Sequence, residues 1–203
     1  LMNRSFILPL FWAFLLFSPL VAALDMAFRE VAPGVYAYIG ETGMRTDDNE
    51  GMNANLGFIV TAAGVVVVDS GSTWQVAERI HAAIRRVTDQ PVKVVVNTGG
   101  QDHRWLGNGY FKAQGAEILA AAAASDDMRA RGTLQLQSLA EELQDRIAGT
   151  VPVLPTRTFE HSEVLHLGGR DIHLLYFTGG HTPGDSVVWL PEEGLLYAGD
   201  LVY

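Results

Sequence analysis

Apolar and polar positions along the chain alternate between short apolar runs, glycine-rich breaks and two stretches of helical spacing. Val35–Ile39 (VYAYI) and Leu56–Thr61 (LGFIVT) predict strands, and Gly64 turns the chain into Val65–Asp69 (VVVVD). That last run is apolar without alternation, as expected of a strand covered on both faces. Ser72 is expected to open a helix with Gln75 as its capping-box partner. Val76, Ile80, Ile84 and Val87 give this helix an apolar stripe at 3.6-residue spacing. Val92–Asn97 predicts a further buried strand and Glu117–Leu119 a short one. Ser125–Ile147 reads as mostly helix, with Leu136, Leu139, Leu143 and Ile147 on one face and Gly132 as a candidate break.

The last third changes character. Val164–Leu167 and Ile172–Phe177 flank Gly168-Gly169, and Val187–Leu190 and Leu195–Ala198 flank "PEEG", which predicts two β-hairpins. Strands alternating with helices followed by a β-rich segment favour a layered α/β arrangement. The chain stops at "AGDLVY", directly after a strand, and Leu1 precedes Met2, so a fragment is expected.

The first residues are read apart from this domain. Arg4 precedes an apolar run, Phe6–Phe17 (FILPLFWAFLLF), and Val21-Ala22-Ala23 offers small residues for cleavage. The run is shorter than the roughly 20 residues that span a bilayer, so residues 1–23 read as a secretory signal cut after Ala23, with an uncleaved anchor as the alternative. The expected location is periplasmic or secreted, with residues 24–203 forming one domain and no membrane attachment after cleavage. The chain has no cysteine, so an exported domain is held by its core, and any metal must bind through His, Asp or Glu. A net charge of −9, which loses one positive charge with the signal, argues against nucleic acid as a partner.

Six histidines are candidates for chemistry. His81, His161, His166 and His173 read as satisfied or solvated residues of a helix and a hairpin. His103 and His181 differ, because both stand in glycine-rich loops after apolar strands, where open α/β folds bind ligands. Asp102 adjoins His103 in "NTGGQDHRWLGN", and Asp200 follows "LLYAG". Two imidazoles and two carboxylates suit zinc or a similar divalent ion. No nucleophilic serine stands out, since Ser70 and Ser72 are better explained by capping. Trp105 is expected either to wall a substrate pocket or to pack beneath the metal loop.

Asn97-Thr98, Asp102-His103, Gly107-Asn108, "GVVVVDSG" and "GGHTPGDSVVWLPEEGLLYAGDLVY" together resemble the metallo-β-lactamase fold hydrolase superfamily, from about Val35 to the end of the chain. The resemblance implies an αββα four-layer sandwich with its metal site on one edge, its C-terminal part missing here. It also implies Asp102, His103, His181 and Asp200 as metal ligands and Asp69 as a residue that orients the metal loop through hydrogen bonds. The loops are also similar to those of exported zinc metallohydrolases linked to periplasmic quinoprotein systems, which implies association with a periplasmic redox system.

The loop departs from the superfamily pattern His-x-His-x-Asp-His. Depending on register, Thr98 and Gly100, or Gly99 and Gln101, stand at the two histidine positions, and neither pair supplies an imidazole. The expected outcome is one zinc ion, with a further histidine ligand beyond residue 203, and two glycines that open space for a small-molecule substrate. Asp102 is the expected catalytic residue, orienting a water or taking its proton. The expected reaction is hydrolysis of an ester, thioester or lactone. The rival reading is a non-catalytic periplasmic binding or accessory protein on a decayed site.

Overall fold

A computed structural model describes residues 24–202; the predicted signal segment, residues 1–23, lies outside them. Seven strands, β1 (Arg29–Ala32), β2 (Val35–Tyr38), β3 (Leu56–Thr61), β4 (Gly64–Val68), β5 (Val92–Asn97), β6 (Glu117–Ala121) and β7 (Arg157–Phe159), form one mixed sheet in chain order. Pairing is antiparallel from β1 to β4 and parallel from β4 to β7. A second, antiparallel sheet has the order β11 (Leu195–Tyr197), β10 (Ser186–Leu190), β9 (Arg170–Tyr176), β8 (Ser162–Leu167). Both predicted hairpins are present, and β1 and β7 are strands that the apolar pattern does not announce.

The valine runs are apolar at every position because each strand serves two cores. Val66 and Val68 of β4 and Val94 and Val96 of β5 point between the sheets, toward Ile172, Leu174, Val188 and Leu190. Val65, Val67 and Val95 point the other way, against Val76, Ala77, Ile80 and Ile84 of α1 (Trp74–Arg85) and Phe111 of α3 (Asn108–Ala113). Three layers therefore stack as helices, mixed sheet and second sheet, the arrangement of an incomplete αββα sandwich. On the outer face of the second sheet Asp171 is exposed and His173 and Leu175 are half-buried.

Several local expectations change. The cap of α1 is Thr73, whose hydroxyl accepts from the Val76 N–H at 3.1 Å. Ser72 instead donates to the Glu50 carbonyl at 2.7 Å, so its hydroxyl is spent on a tertiary contact rather than on the helix. Val87 lies past the helix and is exposed. Gly132 does not break α4 (Ala122–Leu143); it lies inside the helix because Trp105 occupies the space a β-carbon would need. The final turn of that predicted helix, Gln144–Ile147, is a 3₁₀ turn.

Candidate functional site

The carboxyl ends of β4 and β5 meet the β9–β10 loop and the turn after β11 at one edge of the two sheets. The Thr98 carbonyl, just past β5, accepts from the Ser186 N–H at 2.8 Å and so joins the sheets at this point. Asp69, just past β4, takes a positive φ of 64° that aims its carboxylate across the edge. There it accepts from the Thr98 N–H and Thr98 hydroxyl, each at 2.7 Å.

The variant loop is clamped from below. Asn97 Nδ2 donates to the Arg104 carbonyl at 2.9 Å, and Asn97 and Asn108 exchange side-chain hydrogen bonds at 2.9 and 3.0 Å. Ser70 adds its N–H to the same Arg104 carbonyl at 2.8 Å and its hydroxyl to Asn108 at 2.9 Å. Gly107 is required by packing, because a β-carbon there would run into the Ser70 carbonyl. Residues Asp102–Trp105 accordingly form a single helical turn, α2, rather than an open loop.

One further expectation fails here, and one left open is decided. The space beside Gly99 and Gly100 is not open: a β-carbon on Gly99 would lie 2.8 Å from Asp185 Oδ1, and one on Gly100 would overlap the Asp127 carboxylate. Trp105 does not wall a pocket, because its side chain is buried and its indole N–H donates to Gln135 at 3.0 Å.

Of the four predicted ligands, three converge in a row. His103 Nδ1 lies 3.3 Å from Asp102 Oδ1 and His103 Nε2 lies 3.4 Å from Asp200 Oδ2. Neither nitrogen is aligned for a hydrogen bond, although the ring is buried. Burial favours neutral His103, but the flanking carboxylates outweigh it and raise its pKa. Burial also pushes Asp102 up, yet His103 and the Arg45 guanidinium, which pairs with Asp102 Oδ2, hold it below the usual carboxylate range. Asp200 is likewise held low against burial, by His103 and Arg104. Asp69 is the exception, since its complete burial raises it despite Arg104 and Thr98.

His181 stands apart from this row. It is exposed, and its Nε2 lies 2.6 Å from Gln101 Nε2, so the carboxamide at one of the vacant histidine positions addresses the imidazole directly. Its loop is closed by buried Asp185, which accepts from the Thr182 N–H at 2.6 Å. Among the described residues no group of three His, Asp or Glu side chains has the arrangement of a metal site. The donor chemistry nevertheless fits a divalent ion: a buried imidazole with two unbonded nitrogens stands between two carboxylates held in their charged form.

Sequence reasoning passed over Arg104, which contacts both Asp69 and Asp200 from a fully buried position. Its only signal in the sequence is its place inside "DHRWLGN", between candidate ligands and a tryptophan, where an arginine still reads as solvated.

The profile of the Metallo-beta-lactamase superfamily matches residues 50–203. The chain belongs to that superfamily. It is 24% identical over 179 residues to the Metallo-beta-lactamase type 2 of Elizabethkingia meningoseptica, covering 88% of this chain and 63% of the relative. It thus spans less than two thirds of that relative's length. Among solved structures, a metallo-beta-lactamase from Pontibacter korlensis matches with a TM-score of 0.62 at 22% identity, over 85% of this chain and 70% of that one. Metallo-beta-lactamase IND-7 matches with a TM-score of 0.66 at 20% identity, over 86% and 71% of the two chains. These likenesses establish the fold; the scaffold is that of a hydrolase superfamily.

Proposed function

We propose that this superfamily member is an exported, metal-dependent hydrolase working with a single zinc ion. The observation that carries the reading is His103, buried with both ring nitrogens unbonded between Asp102 and Asp200. Without cysteine the ion is held by nitrogen and oxygen donors, a set borderline divalent ions accept. Asp102, His103 and Asp200 would be the donors, with His181 on its exposed loop as the fourth candidate. When bound, zinc supplies Lewis acidity toward a substrate carbonyl and lowers the pKa of a water.

The remaining chemistry falls to the chain itself. Asp102, paired with Arg45 at one oxygen, would orient the attacking water or take its proton. Arg45, more than a third exposed, leaves Asp102 as a substrate or water takes its place. Thr98, Asp69 and Arg104 hold the loop so that these groups keep their positions. We place esters, thioesters or lactones ahead of β-lactams as substrates, because the loop lacks imidazoles at two positions where the superfamily pattern has them. Export to the periplasm or beyond, and association with a periplasmic redox system, follow from the leader-like segment and the loop resemblance, and belong to the same proposal.

A second reading, a non-catalytic binding or accessory protein, draws on the engagement of Asp200 by Arg104 and the lack of a ready three-ligand group among the described residues. Turnover of an ester, thioester and lactone panel by the signal-cleaved protein separates the two. The hydrolase reading expects turnover that is lost in Asp102→Ala with the circular dichroism spectrum unchanged. Turnover equal in Asp102→Ala and wild type contradicts this assignment of the site; absence of turnover across the panel favours the binding protein.

A further inference from the structure

Arg104 is the deepest positive charge at this edge, with its side chain 2% exposed. Its guanidinium reaches both sheets. On one side Nη1 donates to Asp69 Oδ2 at 2.6 Å and to Thr98 Oγ1 at 3.0 Å. On the other, Nε donates to Asp200 Oδ2 at 2.7 Å and Nη2 pairs with Asp200 Oδ1. The backbone is fixed as firmly, with the Arg104 N–H donating to the Gln101 carbonyl at 2.9 Å and its carbonyl held by Ser70 and Asn97. Two carboxylates carrying little solvent need a compensating charge nearby, and a planar five-donor fork meets two of them at once.

We propose that Arg104 is the resident cation of the site. It neutralises Asp69 and Asp200 so that the sheet edge closes with no metal bound, and a divalent ion gains Asp200 as a ligand only by displacing the guanidinium. The first half stands on contacts within the chain; the second rests on the reading of Asp102 and His103 as metal donors. Arg104 is a positioning residue here, acting on where Asp200 points and on what else can reach it.

The test uses the complete signal-cleaved protein, with zinc alone as the probe and no assay of turnover. Melting is followed in chelator and in zinc, and zinc affinity is read by competition with a chelating dye, for wild type, Arg104→Gln and Arg104→Lys. Wild type is expected to stay folded and melt cooperatively after metal stripping, lower only by the binding free energy of the zinc it gives up. Arg104→Gln is expected to melt about 10 °C lower in chelator, to regain stability in zinc, and to bind zinc about tenfold more tightly than wild type because no guanidinium competes for Asp200. Arg104→Lys keeps the charge but not the fork, so it falls between the two. A wild-type melt that collapses in chelator overturns the proposal. So does a folded Arg104→Gln or Arg104→Lys that binds zinc no more tightly than wild type. If Arg104→Gln does not fold, the chelator melt of wild type and the lysine variant still decide. Wild type that binds no zinc removes the hydrolase reading alone, because the resident-cation claim is still read from its chelator-insensitive melt and from zinc-dependent melting of Arg104→Gln.

Discussion

The Trp105 indole lies against Gly132 so closely that a β-carbon on the glycine would stand 2.6 Å from Cη2 and 2.9 Å from Cζ2. The contact seats the α2 turn, and with it Asp102 and His103, on the long helix α4. Gly132→Ala gains about 1 kcal/mol of helix propensity but forces an overpacked contact costing about 2 to 3 kcal/mol, for a net loss of about 1 to 2 kcal/mol. Urea denaturation should show that loss in the wild-type background. In Trp105→Phe, where the larger ring is gone, the same substitution should cost less, and equal losses in both backgrounds would disprove the contact as the cause.

Glu50 makes a second anchor for the segment that leads to Arg45. Its side chain is 1% exposed, pairs with Arg79, and accepts from Arg146 Nη1 at 2.8 Å. Burial and the neighbouring Arg146 charge both lower the Arg79 pKa, and the Glu50 carboxylate between the two guanidiniums offsets their repulsion. Glu50→Gln should destabilise by about 2 to 3 kcal/mol, reduced from the fully buried case because both arginines keep some access to water. Chemical denaturation checks this, and a loss below about 0.5 kcal/mol would rank the cluster with ordinary surface pairs.

Tyr197 wedges the second sheet against the first. Its hydroxyl donates to the Tyr36 carbonyl at 2.8 Å, and its ring fills the space where a Gly57 β-carbon would be. Burial raises its pKa well above the ordinary phenol value. The unfolded chain therefore gives up this proton from about pH 10 while the native state retains it, so this residue's contribution to stability falls as pH rises past about 10. Tyr197→Phe should be about 1 kcal/mol less stable at neutral pH, with the gap narrowing above about pH 10. Denaturation curves across that range measure the gap, and a constant difference would contradict the argument.

The sequence made some of this legible for clear physical reasons. Valine runs such as Val65–Val68 announce strands because burial on both faces removes alternation, and the hairpins follow from glycine at their turns. Asp102, His103 and Asp200 stand out as candidates because glycine-containing loops after apolar strands gather at one sheet edge. Thr73 as the helix cap was hidden, since Ser72, Thr73 and Gln75 allow more than one capping frame and Glu50 decides it by taking Ser72. Gly99 and Gly100 suggested room for substrate, whereas the partners that fill that room, Asp185 and Asp127, come from distant parts of the chain. Arg104 was missed for the same reason: an arginine reads as solvated until the fold brings two carboxylates to it.

Elemental analysis of the complete, signal-cleaved protein, beside His103→Ala, reads the metal site directly. Close to one zinc per chain in the wild type, lost in the variant while its circular dichroism spectrum is retained, is the predicted result. A well-folded wild type that carries no divalent metal after incubation with zinc would contradict a zinc site here and make the binding-protein reading the better one.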